Sequence, residues 1–263
     1  MSTTIAISGK GGVGKSTFAA LTVRCLVERA GRAVLAVDAD ANATLGTMLG
    51  VEVENTVADF REETLEKKDA IPASMSKDRF VQYRIQQAIG EHKGFDLLTM
   101  GRPEGPGCYC YVNNLLRRYL DGAAEDYPFV VVDNEAGMEH LSRRTNNRVD
   151  LLIIVTEATV IGADTAARIT ELAGKLPIPV ARTVLVVNRV LPDGISPEVR
   201  SRLEATGLDI AGQIPLDTSV LAASASGQSL LELPDNNPMY ATVCDVLANH
   251  AGIAAASQPQ STQ

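Results

Sequence analysis

The chain has 263 residues, with 24 Lys and Arg against 32 Asp and Glu, a formal charge of −8. Hydrophobic residues at 45% and charged residues at 21% exclude an intrinsically disordered chain. The acidic balance argues against a broad nucleic-acid footprint, and no apolar run approaches the roughly 20 residues of a membrane span. No signal segment precedes the first predicted strand, so a cytoplasmic protein is expected. One domain is expected over residues 1–255. A flexible tail is expected over 256–263, without the basic amphipathic pattern of membrane-surface helices.

The first predicted strand, Thr3 to Ser8, runs into Gly9-Lys10-Gly11-Gly12-Val13-Gly14-Lys15-Ser16 and then a helix from Ser16 to Ala30, which Gly31 stops. A glycine-rich turn between strand and helix that ends in Lys-Ser is a phosphate-binding loop. Its residues Gly11, Gly12, Val13, Gly14, Lys15, Ser16 and Thr17 would wrap a triphosphate at the positive end of the helix. Lys15 would reach the β- and γ-phosphates, and the Ser16 hydroxyl would ligate Mg²⁺. A standard loop needs no cation at Lys10, which is placed to reach another chain.

The second strand, Ala33 to Val37, leads into Asp38-Ala39-Asp40-Ala41-Asn42, two carboxylates at the edge where nucleotide sites of open α/β sheets lie. Asp40 also suits a helix N-cap or an Asx turn. The charged stretch Arg61 to Asp69 reads as a solvated insertion. A third strand, Asp96 to Met100, is followed by a Gly/Pro loop carrying Cys108-Tyr109-Cys110, then a helix from Val112 to Leu120. A disulfide across one residue closes a very tight ring and is disfavoured in a reducing compartment, so metal binding is the better chemistry, with surface or packing cysteines the alternative that a lone Cys-x-Cys leaves open. Two thiolates half-fill a tetrahedral or square-planar site for Zn²⁺, Ni²⁺ or an iron–sulfur cluster, so a second copy of the chain is implied. Cys25 and Cys244 lie in apolar helical patterns and read as small core residues.

The strand Phe129 to Asp133 is apolar and ends in an acid that would hold the Mg²⁺ water shell, with Gly137 beyond it as a hinge. Glu135, Glu139 and His140 form no complete metal site by themselves. Strands from Leu151 to Val155 and Thr183 to Asn188 alternate with helices from Ala163 to Leu176, Pro197 to Thr206 and Tyr240 to His250. The predicted fold is α/β, a doubly wound, mainly parallel sheet with helices on both faces. Asn188 presents a donor and an acceptor at a strand end, suited to reading a base or to capping the strand.

The phosphate loop with its extra Lys10 resembles the deviant Walker A ATPases, the family of MinD, ParA and the nitrogenase iron protein, P-loop NTPases of the SIMIBI class. The resemblance implies ATP and ADP as ligands and a homodimer in which Lys10 crosses to the partner's nucleotide. It implies that Asp40 orients the attacking water, Asp38 organises the magnesium shell and Asn188 reads adenine. The segment Gly212-Gln213-Ile214-Pro215-Leu216-Asp217 resembles the family's base-packing loop, with Pro215 against adenine. Met100 to Cys110 and Asp133 to His140 resemble the CooC family, nickel-related ATPases that mature carbon monoxide dehydrogenase, with similar proteins serving acetyl-CoA synthase. Two departures concern the switches: Ala41 stands where proline is frequent, and Asn134 where threonine is more usual. Two other classes share the loop. One is an electron-transfer ATPase like the nitrogenase iron protein, and the other a positioning ATPase of the ParA or MinD type, in which the cysteines are incidental.

Overall fold

The computed structural model describes residues 2–59, 75, 77–102, 126–134, 148–175 and 178–253. Eight strands form one sheet: β1 (Thr3–Gly9), β2 (Val34–Asp38), β3 (Ile89–His92), β4 (Phe95–Thr99), β5 (Phe129–Asp133), β6 (Leu151–Glu157), β7 (Thr183–Val190) and β8 (Asp209–Pro215). Their order is β3-β4-β2-β5-β1-β6-β7-β8, and every pairing is parallel except the hairpin of β3 with β4. Among the described residues the α-helices are α1 (Lys15–Ala30), α2 (Leu45–Leu49), α3 (Lys77–Gln87), α4 (Val160–Gly174), α5 (Pro197–Glu204), α6 (Thr218–Ser226) and α7 (Pro238–Ala251), with a 3₁₀ turn at Leu230–Glu232.

The central strands are almost continuously apolar because both faces are covered. On one face α1 and α7 pack Phe18, Leu21, Val243 and Leu247 against Ile5, Ile7, Val131 and Ile153. On the other, α4 and α5 cover Leu152, Ile154, Leu185 and Val187. Ile85 of α3 lies with Val37, Leu98 and Val132. Chain order reverses around β1, whose successor β2 lies beyond β5 while β6 lies on the opposite side. This reversal opens a crevice at the carboxyl ends of the strands, and the phosphate loop leaves β1 at that point.

Gly31 ends α1 in the left-handed conformation, φ 59°, as the sequence suggests. The last helix starts two residues before the expected Tyr240, because Asn237 caps it by accepting from Met239 N and Tyr240 N while Pro238 occupies the first turn. Thr159 likewise caps α4 and starts it at Val160 rather than Ala163. Two strands are absent from the sequence reading. The short β3 pairs back on β4 through a Lys93-Gly94 turn. The strand β8 carries Gly212 and Pro215, residues that argue against a strand except at an edge, where it lies. The helix expected over Val112 to Leu120, the Arg61 to Asp69 insertion and the 256–263 tail lie outside the described residues.

Candidate nucleotide and magnesium site

The first helix begins directly on the loop. Gly14 is its N-cap, at φ 97°, with no side chain capping the exposed N–H groups and no acidic residue in the first turn. Helix N-termini left in this state are anion sites. A Cβ at Gly14 would stand 2.6 Å from Asn188 Nδ2, so both the backbone angle and the packing require glycine here. Lys15 is 6% exposed, and its Nζ reaches the Lys10 carbonyl at 3.5 Å, a weak contact for a buried cation. Lys10, Gly11 and Gly12 are exposed at the tip.

Asp38 and Asp133 end neighbouring strands in direct register, and both side chains are fully buried. Asp38 is engaged: Oδ1 accepts from Asp40 N at 3.2 Å and Oδ2 from Leu45 N at 2.8 Å, which ties it to the segment leading into α2. Asp133 has no hydrogen-bond partner for either carboxylate oxygen. Burial, followed by the neighbouring Asp133 charge, pushes the Asp38 pKa up to about 7. Burial also raises that of Asp133 to about 6, opposed by Ser16 and Lys15. Ser16 thus favours the charged form of Asp133, although neither carboxylate oxygen has a hydrogen-bond partner. The Ser16 hydroxyl accepts from Thr44 Oγ1 at 3.0 Å. Hydroxyl oxygens beside an unpartnered buried carboxylate are the hard donors that Mg²⁺ takes, so the residues present fit that ion. Thr44, the N-cap of α2, escaped the sequence reading; a hydroxyl shortly after the two aspartates was the available signal.

Asp40 lies at the cleft but is also the head of an Asx turn, its Oδ1 accepting from Asn42 N at 3.0 Å and Asn42 Nδ2 at 2.9 Å. Ala43 follows at φ 50°, a conformation that strains a residue with a side chain.

The cleft encloses about 330 Å³, within the range of small-ligand sites. Its phosphate end holds Gly12, Lys15, Ser16, Thr17 and Asp40, and its far end Asn188, Arg189, Pro215 and the apolar Leu216, Val220 and Leu221. Leu216 is 44% and Leu221 42% exposed, an apolar surface suited to the face of a base. Asn188 donates through Nδ2 to the Val13 carbonyl at 2.8 Å and accepts through Oδ1 from Arg189 N at 2.9 Å. It therefore buttresses the loop while lining the cleft, with one amide hydrogen and one acceptor site to spare. Asn188→Ala should lower the Tm of the nucleotide-free protein by several degrees, because it leaves a buried carbonyl unsatisfied at a cost of about 1–3 kcal/mol. A thermal melt without ligand checks this; an unchanged Tm would assign Asn188 to the base alone. Asp217 is held by Asn237 Nδ2 at 2.7 Å and Ser219 N at 2.8 Å, fixing the Pro215 turn against the start of α7. Asn237 was not anticipated from the sequence.

The structure thus brings Gly11 to Thr17, Asp38, Asp40, Asp133, Asn188 and Pro215 to one edge of the sheet. Cys108 and Cys110, together with Glu135, Gly137, Glu139 and His140, lie outside the described residues. Among the described residues no group of three or more His, Cys, Asp or Glu is arranged to hold a metal ion. Cys25 and Cys244 are buried in the core, as their apolar neighbours suggest.

A strand, a glycine loop and an uncapped helix at the topological switch point, with a buried acid on the adjacent strand, define a P-loop nucleotide-binding ATPase. Residues 4–231 match the CobQ/CobB/MinD/ParA nucleotide binding domain, and the chain belongs to that family. It is similar to an uncharacterized ATP-binding protein of Methanocaldococcus jannaschii, 43% identical over 92% of this chain and 96% of the relative. It is also similar to the carbon monoxide dehydrogenase accessory protein CooC of Rhodospirillum rubrum, 34% identical over 87% of this chain and 89% of the relative. The fold is that of the septum site-determining protein MinD from Pyrococcus horikoshii, solved with Mg-ADP, at a TM-score of 0.67 and 20% identity over 95% of this chain and 96% of the other. No helix among the described residues is long and apolar enough to cross a membrane.

Proposed function

We propose that the chain is a homodimerising metallochaperone ATPase that assists nickel insertion into carbon monoxide dehydrogenase or a related acetyl-CoA synthase. The observation that carries this reading is the similarity to the carbon monoxide dehydrogenase accessory protein over most of both chains. The Cys108-Tyr109-Cys110 motif supports it. A dimer would supply four thiolates from Cys108 and Cys110 of the two copies, a donor set for Ni²⁺ or Zn²⁺ cargo. Such a protein would work in the cytoplasm as a single ATPase domain over 1–255 with a free tail.

ATP would lie with its phosphates on Gly11 to Thr17 and its base between Asn188 and Pro215. Ser16, and Asp133 directly or through water, would hold Mg²⁺, which when bound neutralises charge on the β- and γ-phosphates. Asp38 fixes the switch segment by its two backbone contacts and so sets where Asp40 stands. Asp40 would orient the attacking water. Lys10, exposed at the loop tip, would reach the partner's phosphates and make the closed dimer the ATP-favoured state. Hydrolysis removes that preference and returns the open form with its metal site altered.

The test is anaerobic metal analysis of the size-separated dimer after incubation with Ni²⁺, with and without ADP or a non-hydrolysable ATP analogue. The expected result is one nickel per dimer, dependent on nucleotide. Cys108→Ser with Cys110→Ser should lose at least about tenfold in metal affinity while hydrolysing ATP at the wild-type rate. Equal nickel in wild type and double variant would remove the metallochaperone reading, and iron with labile sulfide would replace it with electron transfer.

A further inference from the structure

Successive residues of a regular strand point to opposite faces of the sheet, yet Asn188 and Arg189, neighbours in β7, both line the nucleotide cleft. A bulge accounts for this. Val187 stands opposite Gln213 of β8 and Val190 opposite Pro215, so β7 takes three steps where β8 takes two, and the extra residue falls at Asn188-Arg189. Bonding between the strands resumes where Leu216 N donates to the Val190 carbonyl at 3.0 Å.

Arg189 sits in this bulge at φ 56°, one of two non-glycine positions with a left-handed backbone among the described residues. The other, Ala43, lies between Asp40 and Thr44, which also line the cleft. A long side chain is strained in that conformation, and such strain persists where surrounding contacts impose it, most often at ligand sites. Two contacts impose it here. The Arg189 N–H donates to Asn188 Oδ1 at 2.9 Å, and its guanidinium Nη1 pairs with Glu157 Oε1 at 2.8 Å. Glu157 ends β6 in register with Asn188 and does not itself line the cleft. The charged head of Arg189 is therefore anchored at the rim, and its stem runs along the wall, at the end of the cleft that also holds the exposed Leu216 and Leu221.

We propose that Arg189 is a base-binding residue of the nucleotide site: its stem and guanidinium plane lie against the face of the base, and Glu157 is a positioning residue that holds the side chain in place. Guanidinium groups stack on aromatic faces in this way. The inference rests on the cleft holding a nucleotide and not on the metallochaperone reading.

The experiment is calorimetric titration of the full chain with Mg-ADP and with Mg-tripolyphosphate, which has no base, beside thermal melts without ligand. Arg189→Gly should weaken ADP about fivefold or more, the loss expected for a contact of this class. Its ligand-free Tm should be unchanged or raised, because glycine relieves the backbone strain and a partly exposed ion pair adds little stability. Tripolyphosphate should bind the variant as it binds wild type. Arg189→Lys keeps a stem and a cation and should recover most of the ADP affinity. In turnover, Arg189→Gly and, to a smaller degree, Glu157→Gln should raise the KM for ATP with kcat unchanged, since the base is held equally in the ground and transition states. The proposal is overturned by ADP affinity of Arg189→Gly within about twofold of wild type. It is equally overturned by a matching loss for tripolyphosphate, which would place the effect on the phosphate loop, or by a lowered ligand-free Tm, which would make Arg189 a structural residue. Failure of wild-type protein to bind Mg-ADP would remove the nucleotide site itself and this proposal with it.

Discussion

Lys15→Ala should lower ATP turnover by at least about a hundredfold, the loss expected when one preorganised charge is removed from a transferring phosphoryl group. The side chain is buried beside the start of α1, and its ammonium has one weak contact, the Lys10 carbonyl at 3.5 Å. Holding a cation in this state costs free energy, which the nearby Asp133 carboxylate offsets in part and an anionic ligand recovers more fully. The same reasoning gives the opposite sign for the free protein: without nucleotide, the alanine variant should melt at or above the wild-type temperature. Phosphate-release kinetics and a pair of thermal melts, with and without Mg-ADP, separate the two effects. Wild-type protein should gain stability from the ligand and the variant should gain little, since the gain follows affinity. Turnover within threefold of wild type would show that the phosphates are held elsewhere.

Asp133→Asn should make the nucleotide-free protein more stable at pH 8 and much less active. Both Asp38 and Asp133 have pKa values raised in the fold, to about 7 and about 6, first by burial. A carboxyl whose pKa is raised on folding adds stability in full below its unfolded pKa of about 4 and loses that contribution as pH rises through the folded value. The nucleotide-free protein should therefore lose stability from this pair between about pH 4 and pH 7. The two groups titrate as a coupled pair, which makes the total smaller than two separate shifts. Asparagine at 133 removes one buried charge, flattens this pH dependence and should raise the Tm at pH 8 by several degrees. Mg-nucleotide needs the ionised acids, so its binding should release protons near pH 6 to 7, and its affinity should rise with pH and level off above about 7. Proton release is read by calorimetry in buffers of different ionisation enthalpy. A lower Tm for Asp133→Asn at pH 8, or Mg-dependent hydrolysis at the wild-type rate, would count against this assignment.

The phosphate loop was legible because its chemistry is local. Glycines, Lys15 and Ser16 are contiguous, and the strand before and helix after them follow from residue pattern alone. The buried strands were legible for the same reason, as short apolar runs bounded by turn residues. Boundaries set by caps were not: Asn237 and Thr159 start their helices through side-chain contacts that leave no periodic trace. The edge strands β3 and β8 were missed because a strand with one neighbour needs little apolar character and tolerates Gly212 and Pro215.

The sequence by itself determined the class of site: a triphosphate loop, two acids at strand ends and an amide near a proline turn, each carried by a few neighbouring residues. Only the tertiary structure decided how those pieces act on one another. It put Asp38 and Asp133 in register and left Asp133 without a partner, turned Asn188 onto the Val13 carbonyl, and joined Thr44 to Ser16. The reason is distance along the chain: Asp133 and Asp38 are 95 residues apart and Asn188 and Val13 are 175 apart, and burial and pairing at such separations follow from the strand order and not from any local pattern.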